Sequence, residues 1–373
     1  MFRVGGWQGF RHRGICRAPP SHRSNIVDSE YVKIAAARRK LLEKIYKPFQ
    51  GLEKNGPEYR ALGKSGLVWE EYFRPYDSQG YGYTRIQEDA AITLREIDAL
   101  KDAMRVPANI LAKRLVEAYA HQSVAIEDNH LIRGESIVLD DHLRSNFLTN
   151  FDLASLSPQE LKDLALPDVS FLVPNADKLQ VTELRNHLVA SRWISETSLR
   201  APGTSGLNEN EVRYLSSALM KDLNPWRKGC YPPDLGPSVL LGDYRKTPLT
   251  ARSNRLAVFP YPVEVPACIK RFFEWRQRIH DEKQLHPLII ACQTVAYFLH
   301  IHPFPDGNGR TSRIIMHDYL LRHGYVPIVF SALERADYLR MIKDAQNRKP
   351  DEFANRVLVT QLEILRAYQS EEF

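Results

Sequence analysis

Apolar residues recur with helical spacing along most of the chain. The clearest case is the segment 287–301. Its apolar stripe advances by four, three and four positions, through Leu288, Cys292, Val295 and Leu299. Residues with this spacing lie on one face of an α-helix. Pro303 disfavours further helix, so the pattern predicts that the helix ends just before His302, the next position of the apolar series.

Similar periodicity predicts helices on both sides of this segment. Towards the N-terminus the helical segments are 30–50, 86–104, 109–127, 181–194, 208–223 and 264–280. Towards the C-terminus they are 309–323, 334–346 and 351–370. Pro107 and Asn109 are typical start signals for the helix at 109–127. The chain is therefore predicted to be mainly α.

Three segments depart from helical spacing. Residues 77–85 are rich in glycine and tyrosine and are predicted to form a loop. Residues 150–180 contain three prolines and weak periodicity, which indicates an irregular insert. Residues 249–259 are the best candidate for a β-hairpin, with Ser253 and Asn254 at its turn.

The charge of the chain is concentrated at its N-terminus. The formal net charge is +6 over 373 residues. Five arginines and no acidic residue occur before Asp28, so the rest of the chain is nearly neutral. A basic stripe of the kind that binds nucleic acid is not indicated, and we expect no nucleic-acid partner. The Arg-rich tail resembles a mitochondrial presequence, but its glycines and prolines weaken an amphipathic helix, so an untargeted, disordered extension is favoured over targeting.

The cysteines and the hydropathy pattern favour a soluble intracellular protein. The four cysteines show no CxxC spacing, so we expect reduced thiols. No apolar run reaches the roughly 18 residues that a membrane span needs. The expected compartment is the cytoplasm, with the mitochondrion left open by the basic tail.

The stretch HPFPDGNGRTSR, residues 302–313, places unusual charges at a helix start. Arg310 and Arg313 fall in the first helical turn, where the helix dipole disfavours cations. They are three positions apart and share one face. The backbone amides between Gly307 and Gly309 can form an anion cradle. Because arginine binds phosphate through charge-assisted hydrogen bonds, this stretch is predicted to bind a polyphosphate.

Two other side chains extend this chemistry. His302 has an ordinary pKa near 6.5 and could accept a proton from an attacking hydroxyl. Asp306 supplies a carboxylate at which Mg²⁺ could bridge protein and phosphate oxygens. Phe304 is expected to be buried and to anchor the loop.

Each of these residues has a plainer interpretation by itself. Asn308 could serve as a helix N-cap and nothing more. His300, His302 and Asp306 could bind a transition metal, although no further cluster of histidine or cysteine supports this. A single histidine at a helix end is usually structural. The combination within twelve residues is what favours a phosphate-binding site.

The stretch resembles the signature of the Fic family, H-x-F-x-[DE]-G-N-G-R-x-x-R, at every defined position. The matching residues are His302, Phe304, Asp306, Gly307, Asn308, Gly309, Arg310 and Arg313. LGDYRKTPL (241–249) and FPYPVEVPACIKRFFEW (259–275) resemble segments that flank the flap of that family. The similarity extends over about residues 106–346. The implied fold is a Fic-type helical bundle with a small β-hairpin flap.

The resemblance implies a protein adenylyltransferase, which transfers AMP from ATP to a Ser, Thr or Tyr hydroxyl of a target protein and releases pyrophosphate. His302 would be the general base, and Asp306 would hold Mg²⁺. The phosphates would be held by Gly307, Asn308, Gly309, Arg310 and Arg313. Arg310 would contact the β-phosphate and Arg313 the γ-phosphate, while the hairpin at 249–259 would bind the target by strand addition. Gly309 favours AMP transfer, because the phosphorylating Doc branch typically has lysine there.

A second stretch, SVAIEDN (123–129), resembles the inhibitory motif of the family, [ST]-x-x-x-E-[GN]. Ser123 and Glu127 match it, and Glu127 would reach Arg313 and occupy the γ-phosphate position. Asp128 departs from the motif, which has glycine or asparagine there. The plainer interpretation of Glu127 is a solvated carboxylate at a helix end.

Several alternatives stay open at this point. The same residues could hydrolyse AMP from modified proteins, or the protein could be a non-catalytic nucleotide-binding scaffold. The target protein, the choice of base and the oligomeric state, a homo-oligomer included, are not specified by the sequence.

The resemblance also divides the chain. The expected regions are a basic tail (1–29), an N-terminal helical region (30–105), a Fic domain (106–346) and a C-terminal helix (347–373). The Fic domain would contain the inhibitory helix (about 109–127) and an insert (about 137–180).

Overall fold

The computed structural model describes residues 24–73, 78–224, 226–232, 238–249, 256–330 and 333–370. Within this part of the chain there are fifteen α-helices. The first seven are α1 (Ser24–Ile45), α2 (Pro57–Ser65), α3 (Leu67–Phe73), α4 (Ser78–Asp89), α5 (Ala91–Asp102), α6 (Ala108–Ala125) and α7 (Arg133–Asn146). The other eight are α8 (Pro158–Asp163), α9 (Lys178–Thr197), α10 (Glu209–Leu219), α11 (Val265–Glu282), α12 (Pro287–Ile301), α13 (Asn308–Arg322), α14 (Arg335–Gln346) and α15 (Asp351–Ser370).

The predicted mainly-α class is confirmed. Short 3-10 turns occur at Lys47–Phe49, Leu148–Asn150, Ser170–Leu172 and Ser198–Arg200. Between the described residues, the β pairing outside helices is a single antiparallel bridge that joins Cys230 and Leu240. The hairpin predicted at 249–259 has its turn at Ser253 and Asn254, which lie outside the described residues.

The helical hairpin of α12 and α13 forms the centre of the bundle. Every residue of α12 from Leu288 to Ile301 is buried, and nearly all of α13 is buried as well. A helix that is apolar on all sides must be surrounded by other helices. Here α12 is flanked by α11, α14 and α15, and α13 by α6, α9 and α10. The loop between α12 and α13 therefore joins two of the most completely buried helices of the described residues.

Helices α6 and α9 pack against each other and against the start of α13. The start of α9 is fixed by Asp177, whose carboxylate accepts hydrogen bonds from the amides of Leu179 and Gln180. This arrangement places the segment after α6 and the first turns of α9 beside the first turn of α13.

The N-terminal helices form a second, smaller core. Ile45, Tyr46 and Val68 are buried together with Val258. The Tyr46 hydroxyl donates to Glu264 at 2.7 Å, and the Tyr46 ring stacks on Tyr261 with centroids 3.9 Å apart. The N-terminal helices are thereby attached to the segment that precedes α11.

Two of the segments predicted to be irregular contain helices. Helix α4 covers residues 78–85 of the predicted loop, because it packs against α5, α12 and α15 and buries Tyr83 and Ile86. The segment 150–180 contains the short helix α8, which begins at a capping box formed by Ser157 and Glu160. Helices α2, α3 and α7 were not predicted, and α7 overlaps the start of the expected insert at 137.

The cysteines and the apolar helices can also be compared with the sequence predictions. Cys230, Cys268 and Cys292 are buried free thiols, and Cys16 lies outside the described residues. None of the helices in the described ranges is both long enough and apolar enough to cross a membrane.

Candidate active site

His302 lies directly after the last residue of α12. Its backbone is left-handed, with φ 52°, and its amide donates to Phe298 O at 3.0 Å. Its Nδ1 lies 3.3 Å from the carbonyl oxygen of Leu299. A carbonyl can only accept a hydrogen bond, so this contact places the proton on Nδ1 and leaves the lone pair of Nε2 free.

The environment of His302 keeps its imidazole neutral. Burial, and then the positive charge of Arg245, lower the pKa of His302 to about 4. The ring also packs against Phe259, with centroids 4.6 Å apart. At neutral pH the side chain is therefore a neutral base with a fixed tautomer.

Arg245 holds the backbone of the same loop. Its side chain is 2% exposed. Its Nε donates to His302 O at 2.8 Å, its amide donates to Pro303 O at 2.9 Å, and its other guanidinium nitrogens donate to the carbonyls of Thr247 and Pro260. Arg245 thus connects the loop between α12 and α13 to residues on both sides of the stretch predicted to be the flap. The sequence LGDYRKTPL, which contains Arg245, gave no indication of this role.

The loop between α12 and α13 is braced from within. Phe304 is buried, which agrees with its expected role as an anchor. The side-chain amide of Asn308 accepts a hydrogen bond from Phe304 N and donates one to Phe304 O, both at 2.9 Å. The Asn308 side chain is therefore used by the loop itself. Its predicted contact with phosphates remains a prediction.

Gly307 and Gly309 are required by the local geometry. Gly307 has φ 77° and caps the start of α13, and a Cβ there would lie 2.7 Å from Met220 Sδ. At Gly309 a Cβ would lie 2.1 Å from Glu127 Oε1. The carboxylate of Glu127 therefore occupies the space directly above the start of the helix.

Arg313 makes three hydrogen bonds to the last turn of α6 and the segment that follows it. Its Nε donates to Ser123 Oγ at 2.7 Å, and its Nη2 donates to Ser123 O and to Glu127 Oε1, each at 2.7 Å. The guanidinium also lies over the ring of Tyr338. The sequence-predicted contact between Glu127 and Arg313 is present in the structure.

Arg310 makes a corresponding contact that the sequence did not predict. Its Nη1 lies 2.7 Å from Oε1 of Glu183 on α9, and its Nη2 lies 3.7 Å from Asp306. Glu183 has no sequence signal of its own, because it occurs in an ordinary amphipathic helix far from the motif in sequence.

The charges at the site influence one another. Burial would raise the pKa of Glu127, but Arg313 and Arg310 hold that pKa below its ordinary value. Burial raises the pKa of Glu183 despite the nearby Arg310. The pKa of Arg313 is raised, since the carboxylate of Glu127 outweighs burial. Both arginines therefore remain charged, and Glu127 is ionised at neutral pH.

Both arginines retain unused donors. In the described part of the chain, Arg310 Nε, Arg310 Nη1 and Arg313 Nη1 are buried and make no hydrogen bond, and Arg310 Nη1 meets Glu183 only as an ion pair. Unpaired buried donors on a cation favour the binding of an anion. The site can thus accept further negatively charged oxygens.

Asp306 is the most accessible carboxylate of the loop. About half of its side chain (52%) is exposed, and Oδ1 accepts the Gly307 amide at 2.6 Å. Groups of three or more histidine, cysteine or acidic residues that could enclose a metal ion are absent from the described residues. The alternative of a transition-metal site at His300, His302 and Asp306 thus receives no support.

Comparisons with known proteins agree on this region. Residues 206–320 match the Fic/DOC family model. The "Protein adenylyltransferase Fic" of Drosophila grimshawi is 29% identical over 170 residues, which cover 42% of this chain and 34% of the relative. The protein of the same name from Drosophila persimilis is 30% identical over 170 residues, covering 42% of this chain and 32% of the relative. The chain therefore spans about a third of the length of the curated relatives it matches.

Solved structures show the same fold. A Fic-domain-containing signaling protein from Bacteroides thetaiotaomicron superposes with a TM-score of 0.54 at 17% identity, covering 75% of this chain and 98% of that protein. Fic-1 from C. elegans (residues 134–508) superposes with a TM-score of 0.53 at 15% identity, covering 90% of this chain and 98% of that one. The complete motif at 302–313 lies within the segment 206–320 that matches the Fic/DOC family model.

Proposed function

We propose that this protein is a protein adenylyltransferase that uses ATP and is restrained by Glu127. The relatives with the matching domain bear that activity in their names. The observation that carries the proposal is the position of Glu127, whose carboxylate binds Arg313 directly above Gly309. A carboxylate at this position stands in for the oxygens of a phosphate.

The phosphates of ATP would bind at the start of α13. The amides near Gly307 and Gly309 and the free donors of Arg310 and Arg313 offer positive potential on one side of the loop. Arg310 would face the β-phosphate and Arg313 the γ-phosphate. Arg313 can do so only after Glu127 has left it.

Mg²⁺ would be held at Asp306. One carboxylate with a free oxygen fits this ion, because Mg²⁺ usually keeps several waters and binds one or two carboxylates together with substrate phosphates. The ion would neutralise part of the charge on the phosphates. Asp306 Oδ1 accepts a hydrogen bond from the Gly307 amide. The other oxygen, Oδ2, is therefore the one suited to bind Mg²⁺.

His302 would act on the target hydroxyl. Nε2 accepts the proton as the hydroxyl oxygen forms a bond to the α-phosphorus. The bond between the α-phosphorus and the oxygen that bridges to the β-phosphate breaks, and pyrophosphate leaves with that electron pair. The products are an AMP-modified protein and pyrophosphate. The hydrogen bond from Nδ1 to Leu299 O supports the positive charge that His302 acquires.

The restraint would operate through Arg313. While Glu127 is bound to Arg313, the γ-phosphate cannot bind Arg313 and is repelled by the carboxylate of Glu127. ATP then cannot adopt the productive position. Ser123 holds Arg313 in the orientation that favours Glu127.

The test is self-labelling with ATP labelled at the α-phosphate, in the presence of Mg²⁺. We expect weak labelling in the wild type and labelling at least about tenfold stronger in Glu127→Gly, because Arg313 becomes available. Adding His302→Ala should reduce the labelling by about 10²- to 10⁴-fold, the usual contribution of a general base.

Other nucleotides provide the control. UTP, CTP and GTP, labelled in the same way, should label the Glu127→Gly variant less than ATP does. Strong labelling that persists after His302→Ala, or an absence of labelling in all three proteins, would contradict the proposal. In the second case, release of AMP from modified proteins would be the activity to measure.

A further inference from the structure

Glu183 forms an ion pair with Arg310, as Glu127 does with Arg313, although the contact at Arg310 Nη1 lacks hydrogen-bond geometry. Its side chain is 14% exposed, and Oε1 lies 2.7 Å from Arg310 Nη1. The guanidinium of Arg310 is itself only 4% exposed. Both arginines of the motif are therefore paired with carboxylates from outside the motif.

The two carboxylates are connected by Asn129. The Nδ2 of Asn129 donates to Glu183 Oε2 at 2.8 Å and to Gln180 O at 3.0 Å. The amide of His130 donates to Gln180 Oε1. Asn129 follows Glu127 by two residues, so the segment that carries Glu127 is attached to α9 at Glu183. A movement of the backbone that withdraws Glu127 would also disturb the hydrogen bond from Asn129 to Glu183.

The local charge balance makes both carboxylates obstacles to a nucleotide. Glu127, Glu183 and Asp306 surround two guanidinium groups, which leaves an excess of negative charge. Glu127 and Asp306 both disfavour the ionised form of Glu183. A polyphosphate would add several further negative charges within a few ångströms. Mg²⁺ can compensate Asp306, but it cannot compensate a carboxylate that stays bound to Arg310.

We propose that Glu183 is a second inhibitory carboxylate, which withholds Arg310 from the β-phosphate and is released together with Glu127 through Asn129. This inference rests on the proposed use of a nucleoside polyphosphate. It extends the restraint to a second arginine and to helix α9, which lies outside both inhibitory and catalytic motifs.

The test uses the binding of Mg²⁺-ADP and of AMP to the full chain, measured by calorimetry. Neither ligand supports transfer, so the result does not depend on catalysis. Glu183→Gln should increase the affinity for ADP about tenfold, as expected when a charge-assisted contact becomes available, and should leave the affinity for AMP unchanged, since AMP has no β-phosphate. Glu127→Gly should increase the affinity for ADP less than Glu183→Gln does, because Arg313 is assigned to the γ-phosphate, which ADP lacks.

Glu196→Gln is the matched control. Glu196 lies on the same helix and pairs with Lys113 at 2.6 Å, away from the motif. This variant should change neither affinity. Glu183→Met, which is similar in volume and lacks the charge, should behave like Glu183→Gln and serves as a second variant if the amide disturbs folding.

Three results would overturn the proposal. The first is an ADP affinity that is unchanged or reduced in Glu183→Gln, which would make Glu183 a support for Arg310. The second is an equal gain for ADP and AMP. The third is a loss of folding in both Glu183 variants, which would make the residue structural. If the labelling experiment fails but Glu183→Gln still binds ADP more tightly and AMP unchanged, adenylyl transfer is contradicted. The role of Glu183 in restricting Arg310 is then retained.

Discussion

The backbone of Asp128 determines how Glu127 reaches Arg313. Asp128 has φ 78°, in the left-handed region. The inhibitory motif of the family has glycine or asparagine at this position, and both adopt this conformation readily. Aspartate also tolerates it better than most residues. The departure from the motif at Asp128 therefore preserves the turn, and Glu127 still binds Arg313.

This explanation predicts a difference between two substitutions at Asp128. Asp128→Ala should lower the free energy of unfolding by about 1 kcal/mol, because alanine disfavours left-handed backbone. Asp128→Gly should cause little loss or a small gain. Urea denaturation measures both changes. Since the alanine variant loosens the turn, it should also increase self-labelling relative to the wild type.

The control is Asp89→Ala, an exposed position near the end of α4 with ordinary helical backbone. It should cause no comparable loss. If Asp128→Ala and Asp128→Gly have equal stability, the turn does not depend on left-handed backbone and the explanation is wrong.

At the level of residues, the sequence indicated the local motif and, through the resemblance to the inhibitory motif, the distant contact of Glu127 with Arg313, but it did not indicate Glu183. His302, the glycines and the two arginines lie within twelve positions, so their spacing alone indicates a phosphate site. Glu183 contacts Arg310 through the packing of α9 on α13. That packing is a property of the folded bundle, and neither residue type nor spacing marks Glu183 in advance.

At the level of elements, Arg245 connects three segments that must stay in register. It binds the carbonyl of His302 from one side and those of Thr247 and Pro260 from the other. Such a fork of donors is particular to arginine, since lysine offers one nitrogen at a point. The orientation of the loop between α12 and α13 should therefore depend on the guanidinium group of Arg245 and not on its charge alone.

Arg245→Lys, made in the Glu127→Gly background, tests this dependence. The rate of labelling at saturating ATP should fall by about 10- to 100-fold, as expected when a catalytic group is misplaced by about 1 Å. The affinity for ADP should not change, because Arg310 and the amides of α13 are not held by Arg245.

Arg213→Lys is the comparison for Arg245→Lys. Arg213 also donates a hydrogen bond to a nearby backbone carbonyl, that of Gly242, at 2.9 Å. Its hydrogen bonds do not reach the loop between α12 and α13. It should retain the parental rate. A loss of ADP affinity in Arg245→Lys that matches the loss of rate would show a general disturbance of the site, contrary to this assignment.

The elements themselves were largely predictable where periodicity was strong. The helices predicted at 287–301 and 351–370 have the observed bounds, Pro287–Ile301 and Asp351–Ser370. Helix α4 was missed because its glycines and tyrosines favour loops locally, whereas its packing against α5, α12 and α15 favours a helix. Tertiary packing overrides local propensity in such cases.

At the level of the whole molecule, the bundle buries ionisable groups whose contributions to stability change with pH in opposite directions. His317 is 1% exposed, and neither of its ring nitrogens has a partner among the described residues. Burial lowers the pKa of His317 to about 3. Glu70, in the N-terminal helices, is also 1% exposed. Burial raises the pKa of Glu70 to about 7, although its carboxylate accepts a hydrogen bond from Tyr297.

The signs follow from the protons bound by each state. Between pH 5 and 6 an unfolded histidine is mostly protonated, whereas folded His317 is not. Its contribution to stability is therefore present above its unfolded pKa near 6.5 and is lost as the pH falls. Folded Glu70 holds a proton in this range that the unfolded chain has released. Its contribution is present at low pH and is lost as the pH rises towards about 7.

Two substitutions should consequently change the pH dependence of global stability in opposite directions. His317→Phe should reduce the slope of the unfolding free energy between pH 5 and 6 by about 1.4 kcal/mol per pH unit, the value for one proton. Glu70→Gln should increase that slope by a similar amount. Urea denaturation at pH 5.0, 5.5 and 6.0 measures the slopes, and the wild type measured in parallel is the reference for both.

Because the two residues belong to different helices, opposite changes in one cooperative transition would also show that the N-terminal helices and the central bundle unfold together. If neither variant changes the slope, these groups titrate with ordinary pKa values in the folded state, and the bundle is less tightly closed around them than the contacts indicate.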